Sequence, residues 1–429
     1  MSVLLIVFFL LALLAIGAPV GFALLVAGSA GLLSLGGWPM LSGILATSPL
    51  STPTSYELIT VPMFMLMAEF VVLSGIADDL FRAAAIWVGR IPGGLGIATA
   101  LAGAGFGAIS GSSTASAATL SATSIPAMLR QGYEPRIACG AVAISGTLAM
   151  LIPPSIALVI YGLIADVSIG QLLVAGIIPG LLVSLTICLT IFVLALLHPD
   201  KAPTAGRHSL RQKLASLKVV GPMLVLLLAV TGVIYAGIAT PTEASGIGAF
   251  GAFLLAAKSG RLNFDSLFRA LARAAGTTCM VILIIMAAKV FGYFLTITQL
   301  TQTLVAWTGG LDQSRWVILA IILFGYLLLG CFLDQVAILI LTVPVALPVI
   351  LHLGFDPVWF GVIIVVMAEV GLVTPPIGLN VFVVARYTGR PVEQVFAGVF
   401  PHVVAHLLLV VLLVAVPQIV LWLPSTMFE

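Results

Sequence analysis

The sequence predicts an all-α polytopic membrane protein built from two repeats inverted relative to one another, with about ten transmembrane helices and two helical hairpins. Composition is the first sign. Of 429 residues, 61% are hydrophobic and 7% charged, against about 25% charged in soluble domains. The second sign is a pair of interrupted apolar segments, one broken at Pro153-Pro154 and one at Pro375-Pro376. In hydrocarbon an unpaired backbone group costs several kcal/mol, so broken helices persist only against protein or a wet cavity. The third sign is register. Adding 222 to a residue number carries IPAMLRQGYEP (125–135) onto LPVILHLGFDP, LIPPSIALV (151–159) onto VTPPIGLNV and AGIIP (175–179) onto AGVFP. Prolines 19, 126, 135, 153, 154 and 179 all meet prolines at that one offset, as an internal duplication would place them.

Breakers and apolar runs then set the elements in order. Helices are expected near 3–16 and 19–35, with Gly17 and Pro19 between them. An irregular connector covers 36–56, a helix 57–74 and an amphipathic piece 76–91. A hairpin spans 93–129 and contains the hydroxyl-rich run Ser110, Ser112, Ser113, Thr114, Ser116 and Thr119. A helix near 136–165 breaks around 146–155, and a long helix covers 170–197. The polar linker 198–218 joins the repeats. Helices near 219–238 and 242–257 lead into a basic amphipathic segment, 258–275. A helix at 277–297 and an amphipathic piece to 314 follow. A second hairpin spans 316–351, a second broken helix 358–387 and a last helix 394–424. The apolar start lacks a basic n-region and a small-residue cleavage site, so it reads as a retained helix. The four cysteines, in separate apolar segments without a CxxC pair, read as buried thiols.

Counting crossings gives the inversion. With each hairpin entering and leaving on one side, three crossings separate the first broken helix from the second repeat, and an odd number turns that repeat over. Placing the linker in the cytoplasm brings Arg82, Arg90, Arg130, Arg136, Lys258, Arg261, Arg269, Arg273, Arg386 and Arg390 to the same side. With Lys201, Arg207, Arg211, Lys213 and Lys218 this makes fifteen of the seventeen Lys and Arg, as the positive-inside rule requires. Arg315 falls outside, and Lys289 lies within a helix. Reading 3–35 as two helices puts both termini on the outer side.

The chemistry concentrates at the breaks. Sodium takes oxygen ligands, and a broken helix frees backbone carbonyls beside hydroxyls. One candidate sodium site joins Ser110, Gly111 and Ser113 at the first hairpin tip to Gly146, Thr147 and Pro153. A second joins Gly330, Asp334 and Gln335 to Glu369, Gly371, Thr374 and Pro375. Asp334 and Glu369 are the acidic residues deep in apolar segments of the second repeat, where charge is costly and defaults to a functional role; protonation, or pairing with backbone N–H groups, is the structural alternative for Glu369. Ser112, Ser116, Ser155 and Asn380 are candidate substrate hydrogen-bonders between the tips. Half-helix N-termini beyond each Pro-Pro pair favour an anion. Tight helix packing is the competing explanation for the serines. Lys289 reads either as a counter-ion or as a snorkelling boundary residue, and Glu243 as a helix cap.

By this point the chain resembles, over its whole length, the large membrane subunit of the tripartite ATP-independent periplasmic (TRAP) transporters. The resemblance rests on SGSS (110–113), IPAMLRQGY (125–133), LIPPS (151–155), AGIIPG (175–180), ATPTEA (239–244), FGYFLT (291–296), GCFLD (330–334) and EVGLVTPPIGLNVF (369–382). It implies sodium-driven uptake of an organic anion across a bacterial inner membrane, with no enzymatic activity and no cofactor besides the coupling ion. It also implies an elevator mechanism. Segments 93–165 and 316–390 would form the mobile transport domain, and 1–92, 166–315 and 391–429 the scaffold. Two partners are implied: a small four-helix membrane subunit and a periplasmic substrate-binding protein. By the family's pattern Asp334 faces the second break, Glu369 to Pro376.

Other readings differ in what they require. Proton coupling would use Asp334 and Glu369, against the wealth of neutral hydroxyls. An intramembrane hydrolase with Ser112 or Ser113 as nucleophile needs a base within hydrogen-bond reach, and the five histidines lie at the linker, a hairpin connector and the last helix. A channel fits poorly with two broken helices, and no nucleotide-binding motif is present.

Overall fold

The computed structural model describes residues 3–206, 208–310 and 313–427; Arg207 and position 312, both used in the topology reading, lie outside the described residues. The chain folds as α1 (Val3–Ala15), α2 (Val20–Ser51), α3 (Thr60–Ser74), α4 (Ile76–Val88), α5 (Gly94–Ser110), α6 (Ser113–Arg130), α7 (Pro135–Thr147), α8 (Ile156–Ala165), α9 (Ile169–Ala175) and α10 (Ile177–Leu197). The second half adds α11 (Leu210–Tyr235), α12 (Pro241–Lys258), α13 (Phe264–Ile297), α14 (Leu300–Gly309), α15 (Arg315–Phe332), α16 (Gln335–His352), α17 (Pro357–Gly371), α18 (Leu379–Thr388), α19 (Val392–Ala415) and α20 (Gln418–Ser425). Among the described residues there is no strand, and eight helical segments are long and apolar enough to cross a membrane. Both hairpins and both broken helices fall where the proline register places them.

Four expected boundaries differ. The connector 36–56 is largely helical: α2 runs on to Ser51 past a kink at Gly37, whose φ of 65° suits glycine. The basic segment 258–275 and the helix 277–297 are mostly one helix, the 34-residue α13. At 1.5 Å per residue it is about 51 Å long, well beyond the roughly 30 Å hydrocarbon core, and its charged first turns carry the excess. The helix at 170–197 bends at Gly176, and the last helix divides at Val416-Pro417 into α19 and α20. Residues 3–35 do form two helices, parted by Gly17 at φ 84°.

Small residues let helices approach closely. A Cβ on Gly28 of α2 would lie 2.9 Å from the Phe291 backbone of α13, and one on Gly21 would lie 3.2 Å from Ile284. These pairings run α2 alongside α13 in the same direction. α12 packs on α3 at the matching place, with Gly248 against Met67.

The inversion is visible in end-to-end contacts. Tyr161, near the end of α8, donates from its hydroxyl to the Pro357 carbonyl at the start of α17, at 2.7 Å. At the other end Arg136, opening α7, donates to the Ala397 carbonyl of α19 at 2.9 Å. The two broken helices therefore lie antiparallel. The linker seals the base of the first hairpin: Lys201 pairs with Glu134 at 3.3 Å, Gln131 donates to the Thr204 carbonyl at 2.8 Å, and the Ala205 amide donates to the Gly89 carbonyl at 2.7 Å. Arg315, at the base of the second hairpin, stacks instead on Trp316 and Phe355. Each hairpin tip reaches the break of its own repeat.

Candidate functional site

The first tip closes at Gly111, whose φ of 57° is left-handed and whose Cα lies against Ile156 just beyond the break. Ser112 caps α6 by accepting from the Ala115 amide at 3.3 Å. Ser110 and Ser116 share a hydrogen bond of 2.8 Å. Ser113 is buried and its hydroxyl has no partner. A Cβ on Gly146 would lie 3.0 Å from the Ser113 carbonyl oxygen, so tip and helix touch backbone to backbone. Thr147 donates to the Ile144 carbonyl at 2.7 Å. Pro153 and Pro154 turn toward Leu173 and Ile177 of the α9–α10 bend and Ile234 of α11.

The second tip repeats this plan with different side chains. Asp334, 222 residues after Ser112, caps α16 by accepting from the Ala337 amide at 3.4 Å. Gln335 matches Ser113. Its Nε2 donates to the Val365 carbonyl at 3.1 Å, one turn before Glu369, while its Oε1 is buried without a partner. Glu369 matches Thr147. It is 1% exposed, and neither carboxylate oxygen has a hydrogen-bond partner. The Met150 backbone, at the first break, faces it outside hydrogen-bonding geometry. Gly330 and Gly371 meet at their backbones: a Cβ on Gly330 would lie 2.8 Å from the Gly371 Cα. Thr374 is engaged with the Val370 carbonyl at 2.6 Å, and Pro375 is exposed.

One bond crosses between repeats where the sequence shows no sign of it. Asn380 Nδ2 donates to the Ala143 carbonyl at 3.4 Å. Ala143 is the repeat partner of Val365, so the carbonyl that Gln335 reaches in the second repeat is taken by Asn380 in the first. Ser113 is too short to reach it. The 222-residue register pairs Ala143 with Val365 but does not say which side chain takes either carbonyl.

Several expectations shift. Asp334 is exposed at the second tip, where its carboxylate accepts from an otherwise orphan amide at the start of α16. Glu369 of the second candidate sodium site lies toward the Met150 backbone, next to the first break. Of the four substrate candidates, Ser112 alone is part-exposed; Ser116, Ser155 and Asn380 are fully buried. Ser155 caps α8, donating to the Met150 carbonyl and accepting from the Leu158 amide. Glu243 forms a capping box with Thr240, as expected. Among the described residues no histidine hydrogen-bonds Ser112 or Ser113. The central pair His402 and His406 is buried in α19, where His406 Nδ1 meets the His402 carbonyl at 2.8 Å.

What the arrangement offers chemically is a set of buried oxygen acceptors without donors: the Ser113 hydroxyl, Gln335 Oε1, both oxygens of Glu369 and Asn380 Oδ1. They lie on elements bordering the two breaks. Native interiors leave few such atoms, and each calls for an explanation. A site that accepts a cation or a proton supplies one.

The chain is similar to known proteins over nearly its full length. The profile of the family described as tripartite ATP-independent periplasmic transporter, DctM component, matches residues 7–419. The C4-dicarboxylate TRAP transporter large permease protein DctM of Pseudomonas aeruginosa is 35% identical over 382 residues, covering 89% of each chain. The sialic acid TRAP transporter large permease protein SiaM of Vibrio cholerae is 33% identical, covering 97% of this chain and 96% of that one. Among solved structures, the YdaH transporter of Alcanivorax borkumensis, reported to have an unusual topology, superposes with a TM-score of 0.67 at 16% identity. It covers 97% of this chain and 99% of its own, a likeness of fold alone. The relatives are permease subunits and not enzymes, which removes the hydrolase reading. The matched profile and the full-length identities together place the chain in the DctM-component family of the tripartite ATP-independent periplasmic transporters, as a large membrane permease subunit.

Proposed function

We propose that the chain carries a small organic anion, a carboxylate or sugar acid, across the bacterial inner membrane, driven by sodium. It would work with a small membrane subunit and a periplasmic binding protein that delivers the substrate. The relatives support the substrate class: those named for C4-dicarboxylates and for sialic acid carry acids of different size. The observation that carries the coupling is Glu369. An unpaired buried carboxylate is strongly unfavourable unless neutralised or matched by a positive charge. Sodium beside Glu369, Gln335 Oε1 and the Ser113 hydroxyl would match it, with carbonyls freed at the breaks completing the shell. Gly330, Gly371, Gly111 and Gly146 bring the backbones close enough for that. In the elevator reading, segments 93–165 and 316–390 move together, which the Asn380–Ala143 hydrogen bond between them favours.

The same carboxylate supports a second reading, proton coupling, in which Glu369 is neutralised by a proton. One experiment separates the two. The reconstituted complex, with its small subunit and binding protein, takes up a panel of organic acids across a range of sodium concentrations at two pH values. The wild type and Glu369→Gln are compared. Sodium coupling predicts a sodium requirement in the wild type and an apparent sodium affinity weakened at least about tenfold in the variant, the equivalent of roughly 1.4 kcal/mol. Uptake indifferent to sodium, with a pH optimum that Glu369→Gln displaces, would establish proton coupling instead.

A further inference from the structure

Away from the two breaks, among the described residues, one cavity has a lysine as the single charged side chain at its wall. It measures about 360 Å³ and lies between α13, α14 and the end of α2 on one side and α8 and α16 on the other. Lys289 lines it, with Tyr293 one turn further along α13, Thr296 at the next turn, and Ser51 and Thr301 from the neighbouring elements. Leu163 of α8 and Pro344 of α16 form the opposite wall. Among the described residues no ion pair includes Lys289 and no hydrogen bond includes its ammonium or the Tyr293 hydroxyl. No acidic residue lines the cavity. An ammonium in an apolar helix is costly unless it faces water or an anion, and Lys289 lies eight residues, or about 12 Å, short of the end of α13 at Ile297. At that depth simple snorkelling leaves most of the cost in place. What the cavity offers is a cation ringed by hydroxyls with no protein anion to meet it.

We propose that this cavity is an anion-accepting vestibule, in which Lys289 holds a carboxylate of a small organic acid at the seam between the α13–α14 wall and the α8–α16 wall. The class of anion rests on the proposed transport function; the positive, water-reachable character of the cavity does not. Hydroxyls rather than further cations surround Lys289, so the hold is shallow, as a passing ligand needs. An anionic lipid headgroup shares the same charge chemistry, and the depth of Lys289 favours the smaller, soluble anion over it.

The test reads charge directly. Gly292 lines the cavity, and a Cβ there meets no atom within 4 Å, so Gly292→Cys places a thiol one turn from Lys289. The exposed native thiol, Cys279, is replaced by serine. The full chain, in phosphatidylcholine nanodiscs without sodium, is modified by a sulfonate-bearing and by a trimethylammonium-bearing methanethiosulfonate. The rate ratio, sulfonate over ammonium, is expected to fall about tenfold in Lys289→Gln, as removal of one nearby unit charge at intermediate dielectric implies, and to be kept in Lys289→Arg. An unchanged ratio in Lys289→Gln overturns the proposal. Millimolar succinate is expected to slow the sulfonate reagent while added phosphatidylglycerol does not. Slowing by phosphatidylglycerol alone, or by neither, overturns the organic-acid assignment. Because sodium is absent throughout, either result is independent of the coupling ion.

Discussion

The two helix breaks occupy the same place in two copies of one plan, yet their surroundings are opposite. At the first, Leu151 and Pro153 to Ser155 are buried. Gly176 and Gly180 let the α9–α10 bend close over it: a Cβ on Gly176 would lie 2.8 Å from the Leu151 carbonyl oxygen. Ser155 caps the half-helix beyond. At the second, Pro375 to Ile377 are exposed. Ile377 stands where Ser155 would and cannot cap. The half-helix instead starts at Gly378, with φ 62°, and its amide donates to the Cys331 carbonyl of the hairpin tip at 3.2 Å. One break is held by its own side chain under a covering helix, the other by the neighbouring tip with no cover. The difference teaches that the duplicated sequence sets the breaks, while the elements packed over them set which one is open.

The comparison presupposes inversion, and the largest effect tests it. Thr204→Cys in the linker and Ser314→Cys at the base of the second hairpin are expected to label with an impermeant thiol reagent from opposite membrane faces, all or none. Labelling of both from one face would break the comparison at its root. Next in size, Gly176→Val drives a side chain into the Leu151 carbonyl and Leu158. Overpacking of this kind costs about 1–3 kcal/mol or more. A clear drop in apparent Tm and in monodisperse yield is expected, while Ile377→Ala at the uncovered break stays within about 0.5 kcal/mol. Equal losses at both positions would mean the second break is also covered in the membrane.

Smaller effects sharpen the comparison of caps. Ser155→Ala removes the cap of α8 and is expected to cost about 1 kcal/mol, read as a lower midpoint in thermal unfolding. Asp334→Ala should cost a similar amount. Asp334→Asn should stay near wild type, because asparagine caps as well as aspartate. A large loss of sodium affinity in Asp334→Asn would restore that carboxylate to the ion site and leave capping as its lesser role. Smallest of all, Glu134→Gln breaks the half-exposed pair with Lys201, for about 0–1 kcal/mol, and leaves the bond from the Glu134 amide to the Lys201 carbonyl, 2.8 Å, in place.

The sequence alone determined the class, the duplication, the inversion and the positions of both breaks, because these follow from local chemistry. Apolar length, proline placement and the side on which arginine and lysine fall are each written in consecutive residues. It also marked Glu369 and Lys289, since a charge inside an apolar run stands out wherever the helix packs. It misjudged the stretch 36–56, where glycines and prolines read as breakers but Gly37 absorbs the turn and the helix resumes. It placed Asp334 mid-segment, and that this carboxylate caps α16 appears only where the chain turns at the tip. Only the tertiary structure decided that Asn380 takes the Ala143 carbonyl, that Glu369 faces Met150 across the repeats, and that the first break is covered while the second is not. Those outcomes depend on which helices come within contact distance of one another. That is a property of the packed molecule, set by small residues such as Gly176 and Gly330, whose importance appears only once the backbone opposite them is known.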